Sequence, residues 1–382
     1  MTNNWQQHIV SDQFKVTNGS TNTDDAVEDG RFPLFDRSVT IKLSDKFLFD
    51  TEAVIIPGEG KEFIPRYYKG KFDLHQRTYA IFPKPNDKSV DVKYLYYWID
   101  FNKSYLTKMA VGSTVKSLRM YMLEKFPIKV PTKSVQQKIV DLFTSLDEAI
   151  QKTNQMIQKT VVLKQGLMQE LLTKGIGHKK FKKTKLGVIP EDWELVFLGD
   201  VTKITNGQVD PKKEPYSNMT LIAPNHIESS SGRILERVSV FAQQAISGKY
   251  LVKSGDVIYS KIRPYLKKVT IADSDCLCSA DMYPIKGTEK LDSRFLFHIL
   301  LSDNFTNYAN DNSGRTGIPK INREELSRYL FTLPPVIEQQ QIASILSSID
   351  NDMVSNQKTK AIYISLKNGL MQDIFSQKVQ IN

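Results

Sequence analysis

An internal repeat constrains this 382-residue chain more than any other feature. Sliding the sequence by 203 residues lays 131–172 over 334–375 without a gap, with 12 of 42 positions identical. They are Pro131/Pro334, Gln136/Gln339, Gln137/Gln340, Ile139/Ile342, Ser145/Ser348, Asp147/Asp350, Leu163/Leu366, Lys164/Lys367, Gly166/Gly369, Leu167/Leu370, Met168/Met371 and Gln169/Gln372. Average residue usage would supply about two or three. A second match, offset by 188, places Trp5 over Trp193, Asp12 over Asp200 and Lys15–Gly19 over Lys203–Gly207. The chain is therefore two versions of one unit, a variable body followed by a repeated segment.

The repeated segment reads as a helix. Val135, Ile139, Leu142, Leu146, Ile150, Thr153, Ile157, Leu163, Leu167 and Leu171 recur mostly at three- and four-residue steps, which is helical and not strand periodicity. The second copy repeats the stripe through Ile342, Ile345, Ile349, Leu366 and Leu370. Each helix would span about 40 residues, or roughly 60 Å, a length that calls for a coiled-coil partner. Gly166 and Gly369 cost helix stability, so we expect them to permit close helix approach. Chain order predicts two antiparallel helices with a body at either end, related by pseudo-twofold symmetry. The expected division is a first body (1–130), a first helix (131–175), a basic linker (176–192), a second body (193–333), a second helix (334–376) and a tail (377–382).

Both bodies mix strand and helix signals, so the fold class is α/β in the broad α+β sense. Ala53–Ile56 and Asp256–Tyr259 read as strands, and Tyr94–Ile99 and Phe295–Leu300 as buried helices. Basic and aromatic residues interleave, a mixture suited to clamping phosphates and reading base edges. In the first body the candidates are Arg66, Tyr67, Tyr68, Lys69, Lys71 and Arg77, then Ser113, Thr114 and Lys116. In the second they are Lys212, Lys213, Lys261, Arg263, Tyr265, Lys267, Lys268, Arg315, Thr316 and Lys320. Any single one of these is equally well read as a solvated surface cation.

Composition adds limits. Fifty-two Lys+Arg against 42 Asp+Glu give +10, favouring an anionic partner such as nucleic acid. The excess is modest in each body and largest over 131–192, which holds 11 basic and 6 acidic residues. Two cysteines, Cys276 and Cys278, exclude a disulfide framework and a cysteine-rich zinc site. No run reaches the roughly 18 apolar residues of a membrane span, and no basic-then-apolar leader opens the sequence, so the expected compartment is the cytoplasm. There is no phosphate-binding G-x-x-x-x-G-K-[ST] loop, no H-E-x-x-H and no clustered histidine set. One pattern speaks for catalysis: Asp50 followed by Glu59-Gly-Lys61 has the spacing of many metal-dependent nucleases. It is short, and the second body has no counterpart. A stand-alone nuclease and a coiled-coil protein-interaction scaffold are thus the alternatives to DNA recognition.

The P-x-x-x-x-Q-Q starts at Pro131 and Pro334, the L-K-x-G-L-M-Q runs at Leu163 and Leu366, and the L-G-x-I-P-x-D-W segment from Leu186 to Trp193 resemble the specificity subunits of type I restriction–modification systems. They cover about a third of the chain. The resemblance implies that each body is a target-recognition domain reading half of a gapped DNA site. The helices would act as a spacer and dock two methyltransferase subunits, with two restriction/translocase subunits in the full complex. It implies no catalysis in this chain and no bound cofactor; S-adenosylmethionine, ATP and Mg would sit on the partners, which methylate adenine. No counterpart of Leu186–Asp192 precedes Trp5, so the resemblance leads us to expect support there from the segment after the second helix.

Overall fold

The computed structural model of the protein describes residues 5–314, 317–379 and 381. It divides into two compact units, Met1–Asn154 together with Lys358–Asn382, and Gln155–Gln357. Each unit therefore holds one body, part of the first long helix and part of the second.

Unit one is organised by a six-stranded sheet in the order Phe14–Asn18, Thr78–Pro83, Phe49–Pro57, Arg66–Leu74, Phe32–Phe35, Lys42–Ser44. Its pairs are antiparallel except that of Phe32–Phe35 with Arg66–Leu74. The strand Phe49–Pro57 is buried on both faces, because successive side chains point to opposite sides. Val54 and Ile56 join the helix-covered core with Tyr94, Leu95 and Phe143, whereas Ala53 and Ile55 pack with Phe35, Phe72 and Leu74. The covering helix, Val92–Phe101, starts at Asp91, whose carboxylate accepts the N–H groups of Lys93 and Tyr94, satisfying donors that a helix start leaves open.

Unit two uses two four-stranded sheets. One runs Thr202–Ile204, Met282–Gly287, Val257–Ser260, Val269–Ile271; the other runs Val238–Ser239, Thr220–Ile222, Cys276–Cys278, Tyr250–Val252. Its covering helix, Ser293–Leu301, is capped by Asp292 as the other is by Asp91. Residues 176–192, read from composition as a linker, fold into a hairpin of Phe181–Thr184 against Gly187–Pro190.

The repeat is visible in the frame. Gln6–Ile9 pairs antiparallel with Pro127–Val130, and Glu194–Phe197 pairs antiparallel with Leu330–Leu333. These positions obey the two sequence offsets, 188 at the start and 203 at the end. Each pair returns the body's last strand to its first and releases the chain into a long helix. The helices run Lys133–Lys174 and Val336–Phe375, 42 and 40 residues, about 60 Å each.

Their inward line differs in part from the sequence reading. Ile139, Leu146 and Ile342 are buried, and Ile150, Ile157, Leu167, Ile349 and Leu370 are half-buried. Leu142, Leu163, Ile345 and Leu366 are exposed. The buried line passes instead through Phe143, Lys164, Leu346 and, half-buried, Lys367. Steps of four and three through 139, 143, 146, 150, 153, 157, 160, 164, 167 and 171 make a heptad seam, and adding 203 gives the seam of the second helix. A search for an apolar stripe misses this seam because Lys164, Lys360 and Lys367 lie on it. In unit one, Asp147 bonds Lys367 and Asn154 bonds Lys360, both at 2.6 Å. Seven residues forward on one helix match seven back on the other, so the segments are antiparallel.

Candidate nucleic-acid interface and helix joints

The repeated motifs meet at joints between body and helices. Gln136, buried, accepts the Asp91 N–H at 2.8 Å and donates to the carbonyls of Ser89 and Pro131 at 3.1 and 2.9 Å. Gln339 repeats this with the Asp292 N–H at 2.9 Å and the carbonyls of Lys290 and Pro334, both at 2.8 Å. One amide thus satisfies three backbone groups and ties the cap of the covering helix to the start of the long helix. That is the physical content of the P-x-x-x-x-Q-Q spacing.

The second motif supplies ion pairs. Lys164 meets Asp350 at 2.5 Å in unit two, and Lys367 meets Asp147 at 2.6 Å in unit one. Burial pushes the Asp350 carboxyl up, against the pull of Lys164. Beside the unit-one pair, the Tyr97 hydroxyl donates to Asp147 at 2.9 Å. The corresponding place in unit two holds His298, which burial first and the Lys164 charge second push down to about 3, so it is neutral at ordinary pH. The two tryptophans are also held differently. Trp193 donates to Glu338 at 2.9 Å, beside His178 on the same carboxylate at 2.8 Å. Trp5 packs against Tyr94, Trp98 and Phe375 at ring-centroid distances of 6.3, 6.4 and 6.4 Å. Phe375 ends the second long helix, and Ile381 packs on the same core.

Of the candidate DNA contacts, several are engaged internally. Arg66 donates to the carbonyls of Ser38 and Val39. Tyr67 donates to Glu52 at 2.6 Å, with Lys69 3.7 Å from the same carboxylate. Tyr68 packs against Phe35 and Phe72. Arg77 bonds both oxygens of Glu59 at 3.0 and 3.1 Å. Lys267 pairs with Asp303, and Lys268 donates to the carbonyls of Pro224 and Ile227 at 2.6 and 2.9 Å. Lys71 lies 4.6 Å over the Phe47 ring.

Most of the others are open, while Lys261 is buried and Lys320 half-buried. Ser113, Thr114 and Lys116 are exposed on the turn that leads into Lys116–Ser117, and this strand pairs with Glu59–Gly60. Lys212 and Lys213 are exposed. Lys261, Arg263, Tyr265 and Lys320 are brought together: Ile262 bridges Lys320, and the Arg263 N–H bonds the Pro319 carbonyl at 2.8 Å. Arg315 and Thr316 lie outside the described residues. Arg323, Tyr250 and Tyr283, absent from the sequence reading, complete that cluster. The Arg323 guanidinium lies 4.9 Å over Tyr283 and 5.5 Å over Tyr250, and Lys261 lies 4.9 Å over Tyr283. Their signal was the alternation of aromatic and cationic residues across distant strands, which spacing along the chain does not reveal.

The nuclease pattern comes apart. Asp50 and Pro57 lie toward opposite ends of one nine-residue strand, about 23 Å apart, and Glu59 belongs to a separate strand beyond Pro57. Glu59 is held by Arg77 and by Arg37 at 3.5 Å, and Lys61 is exposed. Among the described residues no three His, Cys, Asp or Glu side chains form a metal-binding group, and no helix is long and apolar enough to cross a membrane. The glycine expectation also fails: a Cβ at Gly166 or Gly369 would meet nothing within 4 Å. Both face open space, in no close contact with another helix.

Two differing bodies thus stand on one repeated frame. The family model for type I restriction modification DNA specificity domains matches residues 3–160 and 190–364. The chain is 30% identical over 361 residues to the type I restriction enzyme EcoDI specificity subunit of Escherichia coli, covering 88% of this chain and 79% of that protein. It is 28% identical over 326 residues to the MjaVIII specificity subunit of Methanocaldococcus jannaschii, covering 82% and 76%. The crystal structure of a type I restriction–modification S subunit from M. genitalium superposes with a TM-score of 0.67 at 12% identity, over 97% of this chain and 96% of that one. The chain belongs to the specificity-subunit family of type I restriction–modification systems, with two target-recognition domains on one chain.

Proposed function

We propose that each body reads one half of a gapped duplex DNA site, and that the long helices set the spacing and dock two methyltransferase subunits. Two restriction/translocase subunits complete the assembly. S-adenosylmethionine, ATP and Mg belong to those partners, which methylate adenine at N6 and cleave unmodified DNA in the cytoplasm; this chain holds no cofactor and performs no chemistry.

The observation that carries this reading is the difference between the bodies on an unchanged frame. Gln136 and Gln339 make the same three bonds, while the sheets above them differ in strand number and order. Among the described residues, each body also has polar side chains with no hydrogen bond or ion pair inside the chain: Ser113, Thr114 and Lys116 in one, Arg263, Tyr265 and Lys320 in the other. Docking is supported by the outer faces of the long helices. Val162, Leu163, Ile362 and Leu366 are 46 to 69% exposed, and each copy places a glycine beside them with open space above it.

Sequencing native genomic DNA for methylated adenines, with and without this gene, tests the proposal. One gapped motif should vanish on deletion. Exchanging residues 20–110 for a relative's should change one half of that motif only. If no methylated motif depends on the gene, or if the exchange alters both halves, the reading is wrong.

A further inference from the structure

We propose that Lys261 is a base-reading residue of the second body, donating from its ammonium to the O6/N7 edge of a guanine in the major groove. This rests on the DNA-recognition reading above and assigns one residue within it.

The frame itself supplies the argument. Two positions are equivalent in the two bodies because their backbones make the same bonds. In unit one, the Gly58 N–H donates to the Arg77 carbonyl at 2.9 Å, and the Gly58 carbonyl accepts the Leu118 N–H at 2.8 Å. In unit two, the Lys261 N–H donates to the Asp281 carbonyl and its carbonyl accepts the Ile321 N–H, both at 3.0 Å. The adjoining strands share register, with Ile56 opposite Tyr79 and Tyr259 opposite Tyr283. A Cβ on Gly58 would come 2.6 Å from the Arg77 oxygen and 3.0 Å from the Tyr79 ring. The frame thus works in one body with no side chain at all, so a lysine at this place in the other is not required by the fold.

The lysine is also costly. It is 8% exposed, and among the described residues its ammonium makes no hydrogen bond or ion pair, only the contact with the Tyr283 ring. Burial, with Lys320 adding to it, draws its proton affinity below that of an ordinary lysine. The stem is buried while the ammonium keeps a limited opening to solvent, so its donors are free for an incoming acceptor. Held over a ring and fixed on both sides of its backbone, it cannot search for acceptors as a surface lysine does. A group so placed discriminates, because a wrong base leaves it buried and unpaired. Paired acceptors at one base edge in the major groove belong to guanine, which lysine reads. Exposed, mobile cations such as Lys212 and Lys213 suit phosphate contacts instead.

The test is the methylation motif of cells carrying the full chain with its methyltransferase partner. Lys261→Met keeps the stem that packs on Tyr283 and removes the charge. The variant complex should melt no lower than the parent and still methylate. One guanine in one half-site should lose its discrimination, about 5- to 150-fold for a good base contact, with the other half-site unchanged. Several outcomes would overturn the proposal. One is an unchanged motif with weaker binding to all sequences and a log-log salt slope reduced by about one, the behaviour of a phosphate contact. Another is relaxation at a base pair that is not G·C. A third is loss of folding in both Lys261→Met and Lys261→Gly, which would make the lysine structural. A parent complex with no gapped motif would instead overturn the functional reading beneath it.

Discussion

The joints in the two units use one pair of residues in two environments. In unit one, 37% of the Asp147 side chain is exposed, Lys367 lies 5.3 Å over the Tyr97 ring, and the Tyr97 hydroxyl shares the carboxylate. In unit two, Lys164 is only 9% and Asp350 23% exposed, and the neighbour is a neutral histidine that lends the carboxylate no hydrogen bond. The same ion pair is thus partly solvated in one unit and largely desolvated in the other. A desolvated pair adds little net stability over an apolar one, but losing one partner strands the other charge. The difference teaches that a repeated residue need not carry a repeated energy.

Removing the acids should break the symmetry most. Asp350→Ala leaves Lys164 buried and unpaired and should cost about 3 to 5 kcal/mol. Asp147→Ala leaves Lys367, itself only 13% exposed but retaining the Tyr97 face, and should cost less, about 1 to 3 kcal/mol. Urea unfolding of the two variants measures both. Equal losses would show that exposure does not separate the joints. Replacing Lys164 and Asp350 together by Met and Leu should recover most of the loss.

Acid should separate the units next. His298 binds its proton near pH 3 when folded and near 6.5 when unfolded. Between those values the unfolded chain holds the proton and the native chain does not, so stability falls as pH drops from about 6.5. At about 1.4 kcal/mol per pH unit, this costs about 3 kcal/mol by pH 4. Asp350, pushed upward by burial, acts with the opposite sign and regains some stability as pH falls through its own titration. Tyr97, raised far into the basic range by burial, contributes nothing there. His298→Gln should flatten the dependence of melting temperature on pH between 6.5 and 4.5. If the slope survives the substitution, the acid sensitivity arises elsewhere.

What could be read from sequence follows the same division. The repeat gave the two-unit plan, both long helices, the strands at Ala53–Ile56 and Asp256–Tyr259, and the covering helices, because periodicity and identity are properties of the chain itself. The seam was misread at Leu142, Leu163, Ile345 and Leu366 because apolarity was taken as the mark of burial. Lys164 and Lys367 turn inward since an aspartate of the other copy, Asp350 or Asp147, neutralises each, a long-range pairing. Identity between copies was the stronger signal there: Asp147/Asp350 and Lys164/Lys367 are among the twelve matches. The candidate DNA contacts were harder still. Arg77 and Lys268 look like Lys261 in sequence, and only the partners brought up by other strands show that the first two are engaged and the third is not.

The smallest expected effect concerns the glycines, and it bears on what the outer helix faces are for. Glycine in an exposed helix interior costs about 0.8 to 1 kcal/mol relative to alanine. Neither Gly166 nor Gly369 has a neighbour that an added methyl group would disturb. Gly166→Ala and Gly369→Ala should therefore each stabilise the chain by about that amount, read as a rise in melting temperature. Their presence in both copies then needs a reason outside the chain, and the exposed apolar side chains beside them suggest a methyltransferase surface seated against bare backbone. On that account the alanine variants melt higher but bind the methyltransferase more weakly in titration. A variant that melts higher and binds with unchanged affinity would keep the helix argument and remove the glycines from the docking face.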